Sequence, residues 1–179
     1  VGFINATSSG TNLLNNVTSS VAVTGGTDVG GIAGRVNTGT LTNSTSSGAI
    51  NGGSYVGGLA GRLYYGSVSV TSSTSQVTGS GNYVGGLLGA LENGNSSLKL
   101  SSHTDGLVKG VSYVGGLIGQ SEGTIGDTVL ASTPNYSTFT TNNVEASGDY
   151  VGGLIGLANS GSVKNASASG NVTGYTVAG

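Results

Sequence analysis

One seven-residue phrase recurs along this chain and constrains its fold more than any other feature. It reads Asp28-Val-Gly-Gly-Ile-Ala-Gly34, Tyr55-Val-Gly-Gly-Leu-Ala-Gly61, Tyr83-Val-Gly-Gly-Leu-Leu-Gly89, Tyr113-Val-Gly-Gly-Leu-Ile-Gly119 and Tyr150-Val-Gly-Gly-Leu-Ile-Gly156. The valines Val29, Val56, Val84, Val114 and Val151 are separated by 27, 28, 30 and 37 residues. A fixed period in this range is the signature of a repeat architecture, in which each unit buries its apolar face only against its neighbours. Val1-Gly2-Phe3-Ile4, 28 residues before Val29, is expected to open in register, and Tyr175 to Gly179 to close on a degenerate copy with Val177 in the valine place. The chain then forms a single domain of about six repeats, starting near 1, 29, 56, 84, 114 and 151 with a partial one at 177.

Other columns keep the same count. Three residues after the valines stand Ile4, Ile32, Leu59, Leu87, Leu117 and Leu154. A second apolar zone is expected at Leu13, Leu41, Val68, Leu98, Ile125 and Val163, and a third at Val23, Ile50, Val77, Val108, Val144 and Val172. Around the second zone, Ser67-Val68-Ser69-Val70-Thr71 alternates apolar with polar residues, the period of a strand. Helices are disfavoured, because 36 of 179 residues are glycine and each costs a helix about 1 kcal/mol. The expected fold is all-β: a right-handed parallel β-solenoid of about six coils, 27 to 30 residues each, with about three short strands per coil. At about 4.8 Å per coil the rod would be roughly 29 Å long. The longer interval after Val114 predicts an insertion at about 130–138, bulging around Ser132 to Tyr136 from one corner. The core column is predicted at Val29, Ile32, Val56, Leu59, Val84, Leu87, Val114, Leu117, Val151 and Leu154.

Composition removes several functions. Five Lys and Arg against seven Asp and Glu leave no basic footprint for phosphates, so no nucleic-acid partner is expected. The absence of cysteine excludes disulfide scaffolds and thiol chemistry. One proline and no three-residue glycine period exclude collagen. The longest apolar runs are about nine residues, where a spanning helix needs about twenty, so no membrane span is expected, and a signal peptide is expected to be absent or already removed.

The Tyr-Val-Gly-Gly-Leu-x-Gly phrase resembles the GLUG motif, a repeat of large secreted and surface-attached microbial proteins that include adhesin-like proteins and immunoglobulin-A-cleaving metallopeptidases. The resemblance spans essentially the whole chain, with five good copies and two weak ends. It implies a β-solenoid spacer or adhesive stalk at an extracellular or cell-surface location. It does not imply the peptidase, because the single histidine cannot supply His-Glu-x-x-His.

The chemistry-bearing residues form no constellation in the sequence, and no catalytic residue, cofactor or metal is assigned. Ser101, Ser102, His103 and Asp105 hold the residue types of a hydrolytic triad, but neighbours along one strand or turn diverge. Asp28, Asp105, Asp127 and Asp149 are spread along the chain, where calcium wants six to eight converging oxygens. Arg35, Arg62, Lys99, Lys109 and Lys164 are equally scattered, which counts against a polysaccharide-cleaving β-helix. Tyr55, Tyr83, Tyr113 and Tyr150 share one repeat position and are expected to stack as an aromatic ladder, which would stabilise the rod or bind glycan rings. Candidate N-glycosylation sites lie at Asn5, Asn16, Asn43, Asn95, Asn135, Asn165 and Asn171. Asn15, Asn43 and Asn165 are alternatively readable as an inward amide ladder. Thr40, Ser67, Ser97, Thr124 and Ser162 form a hydroxyl row that an ice-binding face would also show. Neither end shows a charged or helical cap, so the expected partners are other copies of the chain, stacked head to tail or laterally, or flanking domains of the same polypeptide. The sequence thus points to a non-catalytic module of an extracellular fibre, sheath or adhesin stalk, with ice binding or a carbohydrate-binding surface as alternatives.

Overall fold

A computed structural model describes residues 1–5, 12–126 and 138–175. Among them there is no helix, and every strand pairing is parallel, as stacking of equivalent segments requires. The chain winds as a β-solenoid of about six turns, with the five valine phrases directly above one another. Val29 pairs with Val56, Val56 with Val84, Val84 with Val114 and Val114 with Val151. The Leu column continues the register: the amides of Ile32, Leu59, Leu87 and Leu117 donate to the carbonyls of Leu59, Leu87, Leu117 and Leu154 at 2.9 Å in every step.

Among the described residues four sheets run along the rod, where about three strands per coil are expected from the sequence. The valine sheet holds Thr27–Gly30, Ser54–Gly57, Val84–Gly85, Val114–Gly115 and Val151–Gly152. The long sheet is built on the continuous strands Ala33–Thr42 and Ala60–Ser69 and is split in two in the other coils, as at Leu88–Leu91 and Ser97–Lys99. A hydroxyl sheet follows, made of Thr18–Ser19, Thr45–Ser46, Ser72–Ser73, Ser102–His103, Thr138–Thr140 and Ala166–Ala168. The last sheet carries Val23–Thr24, Ile50–Gly52, Val77–Gly79, Val108–Gly110, Val144–Ala146 and Val172–Gly174. Two causes separate this from three strands. The chain bends at the second glycine and the following Ile or Leu of each phrase, so the Val and Leu of one phrase serve different walls. The hydroxyl sheet points Ser, Thr and His inward, and an apolar count passes over it.

The interior has two aliphatic seams. Val29, Val56, Val84 and Val114 pack with Ile50, Val77, Val108 and Val144. The Leu column packs with Leu63, Leu91, Leu41, Val68, Leu98 and Ile125. Nearly all are fully buried, and each contributes roughly 1.5–3 kcal/mol relative to exposure. Val151 and Leu154, in the outermost coil, are half-buried. The Gly-Gly pair brings the walls this close. A Cβ on Gly85 would overlap the Leu88 carbonyl and the Gly119 amide, and one on Gly86 would overlap the His103 ring and the Gly116 carbonyl.

The N-terminal register differs from the sequence expectation. Phe3 pairs with Arg35 and Ile4 with Val36, so Val1 stands beside Ala33 rather than Val29, and Ile4 belongs to the Val36 column. The four residues imitate the phrase but lack its glycine pair, and the side chain of Ile4 is drawn to the long sheet. The next strand returns to phase with Leu14, not Leu13, against Leu41; Leu13 is exposed. Ile4 and Leu14 are ten residues apart in sequence, where their partners Val36 and Leu41 are five apart. At the other end Gly174 pairs with Ala146, which leaves Tyr175 short of the Tyr150 position; Val177 lies outside the described residues. The long interval after Val114 falls between Ile125 and Thr138, both in register with their neighbours. Thr138 is therefore strand rather than insertion, and Ser132 to Tyr136 lie outside the described residues.

Candidate functional site

Each of Tyr55, Tyr83, Tyr113 and Tyr150 sits where the chain turns into its valine strand, and each has a left-handed backbone, with φ between 54° and 64°. This conformation costs an L-residue roughly 1–2 kcal/mol. The turn throws the rings out in one row. Tyr55 and Tyr83 stack at 4.6 Å between centroids, Tyr83 and Tyr113 at 4.8 Å, and Tyr113 and Tyr150 at 4.8 Å, with planes within 15°. Stacking worth about 0.5–1.5 kcal/mol per pair offsets the backbone cost.

Asp28 occupies the same column with φ 53° and has no ring. Arg62 fills the place: its guanidinium lies 3.7 Å from the Tyr55 ring centre, and it holds Asp28 at 2.8 Å and Glu92 at 3.5 Å. A planar cation thus continues the stack by one rung. Spacing analysis misses Arg62, because it lies on the neighbouring strand rather than in the tyrosine column. Burial pushes the Glu92 carboxyl above its ordinary range, outweighing the opposite pull of Arg62.

A second left-handed column runs through Asn16, Asn43, Val70, Leu100 and Asn165, at φ 48° to 59°. Asn tolerates this region; a β-branched Val does not. Here the compensation is internal. Ser44 Oγ accepts the Val17 amide at 3.2 Å and donates to the Thr42 carbonyl at 2.7 Å. Ser101 Oγ accepts from the Thr71 amide at 3.2 Å and the Thr71 hydroxyl at 2.9 Å, and donates to the Lys99 carbonyl. Ser46 and Ser75 join at 3.1 Å. Hydroxyls therefore satisfy the polar groups that the corner turns away from the ladder.

Of the triad residue types, His103 is fully buried, with Nε2 bonded to the Gly106 carbonyl at 3.0 Å, while Asp105 is exposed and Ser101 is engaged in the corner; the three do not converge. Among the described residues no three His, Cys, Asp or Glu side chains gather. Asp127 lies outside the described residues. Asn5, Asn16, Asn43, Asn95, Asn165 and Asn171 are exposed, and Asn135 lies outside the described residues. Asn43 Nδ2 donates to Asn15 Oδ1 at 3.0 Å, but this pair is on the surface, and Val70 and Leu100 separate Asn43 from Asn165 in the column, so the inward amide ladder does not form. Thr40, Ser67, Ser97, Thr124 and Ser162 line up in register at half exposure on the long sheet, with Ser67 Oγ 3.4 Å from Thr40 Oγ1.

Neither a curated relative nor a solved structure matches the chain. A family description, the GLUG motif, matches residues 147–173, one full coil from the Tyr150 turn to the Val172 strand. Residues 147–173 are thus similar to the GLUG motif, a repeat found in microbial surface and secreted proteins.

Proposed function

We propose that this solenoid is a non-catalytic structural module of an extracellular fibre, sheath or cell-surface adhesin stalk, and that its coils stack end to end with further β-coil. The unbroken register of the five valine phrases is the observation that carries this reading, since it makes a rod whose length scales with repeat number. The outermost coils support the assembly part. Phe3 and Leu13 are 56% and 61% exposed at one end, and Val163 and Val172 are 49% and 47% exposed at the other. Among the described residues no strand pairs with the outer edges of these coils, and such a surface takes further strands from another copy or from neighbouring segments of a longer polypeptide.

Electron microscopy of the chain at rising concentration, with immunolabelling of intact producing cells, tests the proposal. Surface label together with rods that lengthen in steps of one chain is expected. Label confined to the cell interior overturns the surface role, and monodisperse short rods at every concentration overturn self-stacking.

The aligned hydroxyl row favours ice binding as a second reading, tested by thermal hysteresis; Lys99, Lys164 and Asn15 interrupt the row beside it. The ladder is a poor sugar platform, because Tyr55, Tyr83 and Tyr113 cover one another's faces and Arg62 covers the outer face of Tyr55.

A further inference from the structure

The hydroxyl sheet places Ser46, Ser73, His103, Thr140 and Ala168 in one inward column. Four of these side chains are small; His103 is the exception. Its ring lies against Gly86, where a Cβ would overlap Cδ2, and the side chain has no exposed surface. Nε2 meets a carbonyl oxygen, that of Gly106 at 3.0 Å. A carbonyl only accepts, so Nε2 carries the proton of the neutral ring. Nδ1 is buried without a hydrogen bond.

The groups packed around the ring offer no counter-charge. The preceding coil contributes Ser73 and Ser75, the following coil Thr140 and Asn142, and the same coil Gly86 and Gly106. Thr140 and Asn142 are already engaged, Thr140 with Asn142 and with the Gly116 carbonyl, and Asn142 with the Asn143 carbonyl. Asp105, two residues on, is the titratable group that acts on the ring, and it is exposed. A second proton would therefore sit on Nδ1, in a buried site where the Ser73 carbonyl already accepts from the Thr104 amide.

We infer that His103 is an acid-triggered break point: its protonation opens the Ser102–His103 strand from Ser72–Ser73 and Thr138–Thr140, parting the hydroxyl sheet at this layer while the aliphatic seams hold. Stability in a solenoid is a sum of nearest-neighbour interfaces, so a charge in one layer acts first on the two interfaces it touches. These strands are two to three residues long and rest on few backbone bonds.

The electrostatics agree in direction. Burial lowers the His103 pKa from its usual 6.5 to about 4, against the carbonyls of Gly106 and Ser73 and the Asp105 charge, which raise it. A group with a depressed basic pKa stabilises the closed form fully above the open-state value. That stability drains away as pH falls from about 6.5 towards 4, and below 4 the closed form also takes the proton.

Hydrogen exchange by NMR, corrected for intrinsic rates, reads the opening directly. The reporter amides are Ser102, Thr104 and Thr141, which donate to the carbonyls of Thr71, Ser73 and His103. Their protection is expected to fall by about tenfold per pH unit between pH 6.5 and 4, while Leu59 and Leu87 in the aliphatic half keep theirs. His103→Thr, which installs the residue of the next coil, is expected to flatten that slope whatever it costs at pH 7. An unchanged slope in the variant, or equal loss at Leu87, overturns the inference. The imidazole carbon shifts of the unaltered protein supply a readout that needs no variant: titration near 4 supports the break point, and titration near 6.5 refutes it.

Discussion

The two halves of each coil solve the same problem by opposite means. On the valine side the chain turns through a left-handed Tyr, packs Val and Leu into dry seams, and regains the backbone cost outside the rod, where the rings stack. On the hydroxyl side it turns through a left-handed Asn, Val or Leu and regains the cost inside, where Ser44 and Ser101 take up the stranded backbone groups. One corner is stabilised by area and stacking, which tolerate small shifts; the other is stabilised by directional bonds, which do not. The contrast teaches that identical stacking geometry can rest on different chemistry a few residues apart.

The contrast can be broken most strongly in the aliphatic half. Leu87→Ala removes a fully buried side chain from the middle of its column and is expected to cost about 3 kcal/mol, read as a lower denaturant midpoint. Ser101→Ala strikes the hydroxyl corner: the Thr71 amide and hydroxyl lose their acceptor, for a loss of about 2 kcal/mol. If Ser101→Ala proves neutral, the hydroxyl corner is not held by these bonds. Tyr83→Leu keeps apolar bulk but removes the ring stacked on both sides; about 1 kcal/mol is expected, and the exciton signal of the stacked tyrosines in near-ultraviolet circular dichroism should drop. Val70→Asn sharpens the comparison in the other direction. Val70 is left-handed at φ 54° and 40% exposed, and Asn43 already serves the same column, so the variant is expected to gain about 1 kcal/mol in thermal unfolding. The smallest effect belongs to the exposed Lys109–Glu145 pair at 3.4 Å, where Lys109→Ala should change stability by under about 0.5 kcal/mol.

What the sequence made legible follows from the same contrast. Val29 through Val151, the Leu column and the later zones at Val68, Leu98 and Val144 are readable because an apolar side chain at a fixed period has one sensible destination, the interior. Ser44, Ser73 and Ser101 are not readable in this way, since the same residue types cover the surface at Ser67 and Ser97. His103 looks like a surface or catalytic residue until its column shows that it replaces a buried Ser. Arg62 stands in for a missing ring from a neighbouring strand, which no count along the tyrosine column detects. Val1 to Ile4 mislead because three apolar residues and one glycine, without the second glycine of the phrase, are too little to set a register. The left-handed turns at Tyr83 and Val70 are equally hidden, because neither residue type favours that backbone.

The central claim is that equivalent phrases lie directly above one another at the spacing of adjacent parallel strands. Methyl and aromatic NOEs in the isolated chain test it most directly. Contacts from Val84 to both Val56 and Val114, and from the Tyr83 ring to both the Tyr55 and Tyr113 rings, are predicted, with none from Val84 to Val29. Absence of the Val84–Val114 and Tyr83–Tyr113 contacts in a folded sample, or their replacement by contacts one residue out of register, would contradict the account.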